Sequence, residues 1–206
     1  MSNDSNHDDS QTDEFIDEVV ESYYEFDDHD RPVRGECLNG MKWKFDWDHK
    51  ILEITGEGMF SPPALEDWSP WFELPATEVR LPENTKSIDM YAFTGLVSVK
   101  KIFIPKNVEM IHAGAFDMCP NLQSINVDPS NNHFVSIDGV LFIREPLILW
   151  RVPEGRTKRF ELPKGTKGIY HYALNECEDL EALDNPDDCP ILDYYDIGDW
   201  GSSTEL

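Results

Sequence analysis

Val79-Arg-Leu-Pro-Glu-Asn-Thr-Lys-Ser-Ile-Asp-Met-Tyr-Ala-Phe93 and Ile102-Phe-Ile-Pro-Lys-Asn-Val-Glu-Met-Ile-His-Ala-Gly-Ala-Phe116 superimpose at a spacing of 23 residues. The matched pairs are Val79/Ile102, Leu81/Ile104, Pro82/Pro105, Asn84/Asn107, Ile88/Ile111, Ala92/Ala115 and Phe93/Phe116. A unit this short cannot enclose a core, so copies must stack and bury their apolar faces against their neighbours. Within a unit, apolar residues two apart (Ile102 and Ile104) predict a short strand, and Pro105 ends it. Ile111, the Ala115-Phe116 pair, Cys119 and Leu122 complete the coil. Stacking puts like residues above one another, giving aliphatic columns, a phenylalanine ladder and parallel strand pairing.

The phase continues at Leu122-Gln-Ser-Ile-Asn-Val127, because Ile125 lies 23 residues beyond Ile102. The next full unit, Phe160 to Leu174, starts 35 residues later, a repeat plus 12. The extra residues include Asp138-Gly139 between two alternating apolar runs, a strong hairpin signal. The repeats therefore span 74–184, with a β-hairpin insertion at 128–152. Upstream, Met41-Lys-Trp-Lys-Phe-Asp-Trp47 and Ile51-Leu-Glu-Ile-Thr55 alternate as strands do. With Trp68 and Trp71 they predict a β-rich N-terminal cap over 36–73 that covers the open edge of the stack. The predicted class is an α/β-type solenoid, mostly β, with parallel strands on one face.

The formal charge of -24 is unevenly placed. Residues 1–30 hold twelve acidic residues and residues 176–206 hold eleven, with no Lys or Arg in either. Residues 31–175 are nearly neutral, with 18 acids against 17 bases. Stretches 1–35 and 185–206 thus read as acidic tails that aid solubility. In the first, Phe15, Ile16, Val19, Val20, Tyr23 and Tyr24 form one stripe on a candidate amphipathic helix. Such ends disfavour direct nucleic-acid binding. No apolar run reaches membrane-spanning length, so no membrane insertion is expected. The first residues carry neither the basic nor the apolar region of a secretory signal, and the sequence as written leads one to expect a cytoplasmic location.

Cys37, Cys119, Cys177 and Cys189 show no metal-ligand spacing. Cys119 and Cys177 share the phase of Leu96 and read as buried thiols. There is no glycine-rich phosphate loop, HExxH or GxSxG. His112, His133 and His171 stand apart from one another. The sequence predicts no catalytic residue, no metal site and no cofactor, hence no enzyme.

The outward residues of the repeated strand form two columns: Glu78, Lys101, Ser124 and Arg159, then Arg80, Phe103, Asn126 and Glu161. They are the candidate partner-binding residues, and Phe103 is the anchor type found at binding surfaces. The expected partner is a protein, and the acidic ends suit a basic one. An acidic decoy or inhibitor, either an immunity-type protein or a nucleic-acid mimic binding a basic protein, is the alternative reading. Lys100, Lys101, Lys106, Arg156, Lys158, Arg159, Lys164 and Lys167 gather bases near the strand face.

The pattern Ile-x-Ile-Pro-x-x-Val-x-x-Ile-x-x-x-Ala-Phe-x-x-Cys-x-x-Leu at 102–122 resembles the BspA-like leucine-rich repeat family. So do the Cys37–Phe45 block, Leu52–Met59, Ser69-Pro-Trp71 and the variant unit 125–142, and the likeness covers about 36–184. The resemblance implies a right-handed leucine-rich repeat solenoid with a strand-lined concave face. It also implies a non-enzymatic binding role through that face and its edge loops, and often a cell-surface or secreted location.

Overall fold

The computed structural model describes residues 24–62, 69–72, 74–185, 188–193 and 196–197. The N-terminal strands are β1 (Tyr24–Phe26), β2 (Pro32–Glu36), β3 (Lys42–Asp46), β4 (Ile51–Thr55) and β5 (Gly58–Phe60). The first repeats hold β6 (Glu78–Arg80), β7 (Thr85–Ile88), β8 (Lys101–Ile104), β9 (Met110–Ile111) and β10 (Ser124–Val127). The insertion supplies β11 (Phe134–Ile137), β12 (Val140–Ile143) and β13 (Ile148–Arg151). The last coils contribute β14 (Phe160–Glu161), β15 (Gly168–Tyr170), β16 (Leu183–Asp184) and β17 (Ile191–Leu192).

Two rows of parallel strands run along the stack. In the first row β4 pairs with β6, β8 with β10, and β14 with β16. In the second, β5, β7 and β9 form one sheet, and β13, β15 and β17 continue in another. The register sets Ile102 against Ile125 in the first row and Ile88 against Ile111 in the second, so both rows repeat the sequence spacing. The sequence reading found only the first row. Strands of two to four residues leave little alternation to read.

The third side of each coil is a turn that returns the Ala-Phe pair to the interior. Phe93 stacks on Phe116 with centroids 5.3 Å apart. Cys119 continues the interior lining, its thiol donating to the Phe93 carbonyl at 3.1 Å. This side corrects the α/β expectation. Among the described residues there is no α-helix, only a 3-10 turn at Ala113–Phe116. The return is too short to nucleate helical turns. Instead, His112 Nδ1 accepts from the Gly114 amide at 3.1 Å and fixes the tight bend.

At the N-terminal end β1 to β4 form an antiparallel meander that β6 joins in parallel. The sheet therefore reaches back to Tyr24, into the stretch read as an acidic tail, and at the other end β17 lies within 185–206. The expected amphipathic helix falls outside the described residues except for Tyr24. That residue is in a strand, its ring set edge-on to Trp43 with centroids 5.7 Å apart. Trp71 closes the interior: it is fully buried, stacks on Phe60 at 5.4 Å, and donates its indole N–H to the Ala92 carbonyl at 3.0 Å. Trp68 lies outside the described residues.

The insertion is sewn into the stack at both ends. Buried Asn131 donates to the carbonyls of Pro105 and Val108 at 3.0 and 2.8 Å, and its oxygen accepts from the His133 and Phe134 amides. Trp150 donates to the Ile111 carbonyl at 3.0 Å and stacks on Tyr170. Between these ties, β11 and β12 pair antiparallel around Asp138-Gly139.

Because the phenylalanine ladder joins coils that have no core of their own, Phe116→Ala should cost about 3–5 kcal/mol. Urea unfolding checks this; a loss below about 1 kcal/mol would mean the ladder does not hold the coils together.

Candidate functional site

The structure places seven of the eight candidate residues on the first strand row and Arg159 immediately before β14, and it divides them. Arg80 Nε donates to Glu78 Oε1 at 2.6 Å, and Arg159 pairs with Asp184. Asn126 donates to Ser124 Oγ at 3.3 Å. Lys101 and Glu161 form no ion pair among the described residues. Phe103 stands out as an apolar ring 47% exposed, on a strand whose Ile102 and Ile104 are buried.

Beyond β10 the row is interrupted. The gap is a cleft of about 550 Å³ lined by Lys101, Ser124, Asn126, the Asp138-Gly139 turn and the segment Gly155 to Lys158. Its shape follows from how closely the hairpin tip approaches β10. Gly139 has φ 79° and its carbonyl accepts from the Ile125 amide at 2.8 Å. A Cβ there would lie 2.7 Å from Ser124 Cβ, so only glycine fits. Arg156, nearly buried, donates to the Asp138 carbonyl at 2.7 Å and pairs with its carboxylate. Sequence reasoning put Arg156 among the bases near the face and read Asp138-Gly139 as a turn. The contact between them joins positions 18 residues apart, which no repeat spacing signals.

A second cleft, of about 490 Å³, lies on the turn side between Phe72, Val97, Met118 and Pro120 and the carboxylates Glu154, Glu176, Glu178 and Asp179. Behind it Arg151 is fully buried, with Nη2 lying 3.0 Å from Asp117 Oδ1, out of hydrogen-bond alignment, and 3.9 Å from Glu176. Its Nη1 donates to the Tyr172 carbonyl at 3.2 Å. Stepping 35 residues from Phe116 and Cys119 reaches Arg151 and Glu154. In the structure Val152 takes the phenylalanine place, its amide donating to the Ala173 carbonyl at 2.8 Å as that of Phe93 donates to Ala115, and Arg151 and Glu154 flank it. Glu154 accepts from the Cys119 amide at 2.7 Å and Glu176 from the Met118 amide at 3.0 Å. Burial pushes the carboxyls of Asp117 and Glu154 above their ordinary range; Arg151 draws both back, and nearby Glu176 adds to the rise. The backbone amide of Cys119 also favours the charged form of Glu154. These carboxylates serve as links between coils. Among the described residues no three His, Cys, Asp or Glu side chains are arranged to hold a metal ion. All four cysteines are free thiols, and burial raises Cys119 to about 12 and Cys177 to about 11.

Arg151→Met should cost about 3 kcal/mol, because it leaves Asp117 part-buried without its cation. Adding Asp117→Asn should restore part of the loss, and a double-mutant cycle by urea unfolding measures that coupling. A carboxyl raised on folding stabilises the folded state most at low pH, and the contribution fades as pH rises through the raised value. Glu154→Gln, which keeps an acceptor for Cys119, should therefore melt above the parent at pH 7. The difference should shrink as pH falls to 4; a gap independent of pH would contradict the burial argument.

Comparison with known proteins adds a family to this geometry. No curated protein matches the chain. Among solved structures, a leucine-rich repeat protein from Eubacterium ventriosum is 18% identical with a TM-score of 0.44, covering 77% of this chain and 61% of its own. A leucine rich cell surface protein from Faecalibacterium prausnitzii is 23% identical with a TM-score of 0.46, over 66% of this chain and 40% of its own. The pneumococcal vaccine antigen PcpA is 15% identical with a TM-score of 0.45, over 71% and 63%. The chain thus spans less than two thirds of the length of each. The model of the BspA type leucine rich repeat region matches residues 72–147 in 6 copies, the stretch that holds the 23-residue units and the inserted hairpin. Over those residues the chain carries a BspA-type leucine-rich repeat region.

Proposed function

We propose that the chain is a non-enzymatic protein-binding module and that the first strand row is the surface that meets the partner. The observation that carries this reading is Phe103, whose ring is exposed at the middle of a row of polar neighbours. An apolar ring on an open sheet gains most when a partner covers it, while the polar residues around it set orientation. The row is also rigid, since every second side chain along β8 is locked into the core. A rigid surface loses little conformational freedom on binding.

The test is capture of partners by the full-length chain, followed by identification and comparison with variants. Phe103→Asp, which alters only an exposed position, should weaken capture by about tenfold or more. Glu109→Gln, an exposed position just before β9 of the second row, should leave it unchanged. Equal capture by the parent and Phe103→Asp would reject the strand row as the binding surface.

A further inference from the structure

The cleft beyond β10 is a cationic spot in a chain of charge -24. Three bases line it, Lys101, Arg156 and Lys158, against one acid, Asp138. Arg156 is spent on that acid, in an ion pair and a bond to the same residue's carbonyl. Lys101 and Lys158 are exposed and paired with no carboxylate among the described residues, so both charges are available at the cleft. The remaining lining is uncharged and polar: Gln123, Ser124, Asn126 and Thr157.

We propose that this cleft takes a short acidic segment of a partner protein, its carboxylates meeting Lys101 and Lys158 and its backbone meeting the polar side chains between them. The proposal rests on the strand row being the binding surface and names what part of a partner it receives. Three features support it. The cleft is built before any ligand arrives, because Gly139 is wedged on Ser124 and Arg156 holds the turn. At the far wall a Cβ on Gly155 would lie 2.6 Å from the Pro120 carbonyl oxygen, so that wall is equally fixed. Finally, charge sets the length of the ligand. A nucleic acid or a long sulfated glycan would extend past the two lysines into the field of an acidic chain, while a segment of a few residues would not.

The experiment uses fluorescently labelled ten-residue peptides and the full-length chain, followed by anisotropy at low and physiological salt. A peptide alternating Glu with Gly and Ser should bind, its Gln counterpart should not, and added salt should weaken the complex. Lys101→Glu with Lys158→Glu should lower affinity by about tenfold or more, since both side chains are exposed and their exchange leaves the core intact. Equal binding of the Glu and Gln peptides, or indifference to the charge reversal, overturns the proposal. So does preference for a sulfated oligosaccharide of matched charge. Deleting residues 1–22 gives a further arm: severalfold tighter peptide binding would show that the chain's own acidic stretch fills the cleft, and the partner assignment would fall. If the peptide fails while Phe103→Asp still abolishes capture, only the cleft is misassigned; if Phe103→Asp has no effect, the strand row itself is.

Discussion

A coil of 23 residues has an inside only because another coil lies on either side of it. That constraint governs the rest of the molecule. Interior positions must match from coil to coil, which is why Phe93 stacks on Phe116 and the strands pair in register at the repeat spacing. It also forces an answer wherever the match ends. At the N-terminal end the answer is aromatic bulk: Trp71 and Phe60 fill the space under the first coil while the meander of β1 to β4 covers it.

The insertion poses the same difficulty in the middle of the stack. Twelve additional residues separate one unit from the next, and where the interior column resumes at Val152 its neighbours are the charged Arg151 and Glu154. Buried charge is tolerated there because each group has work to do. Arg151 is shared between Asp117 and a backbone carbonyl, and Glu154 satisfies the amide of Cys119. On the opposite side the same insertion drives its turn against β10 and opens the cleft. One interruption thus accounts for both the buried Arg151 and the polar cleft beside the strand row.

The repeat was legible because it is periodic, and parallel pairing of Ile102 with Ile125 follows from the spacing alone. The Asp138-Gly139 hairpin was legible from turn chemistry. The second strand row was not, since residues such as Met110-Ile111 are too few to show a period. Nor were β1 and β17, which lie in acidic sequence and exist through pairing with a neighbour rather than through their own composition. At the candidate site, the outward columns could be read from alternation, and Phe103 among them. What could not be read was the cleft, because it depends on Gly139 meeting Ser124 and on Arg156 reaching Asp138. Contacts between a repeat and its interruption leave no periodic trace.

Asparagine has a recurring place in this stack. Asn107 reaches back to the Glu83 carbonyl, Asn121 to that of Val97, and Asn131 to those of Pro105 and Val108, in each case through the side-chain N–H of the amide. Each joins one coil to the coil before it with a donor that only an amide supplies at that length. Hydrolysis to aspartate would place a negative acceptor against a carbonyl that had been accepting a hydrogen bond. Asn131, buried and holding the insertion, would be the most damaging of the three. The stack is therefore vulnerable at a few side-chain amides as well as at its apolar packing.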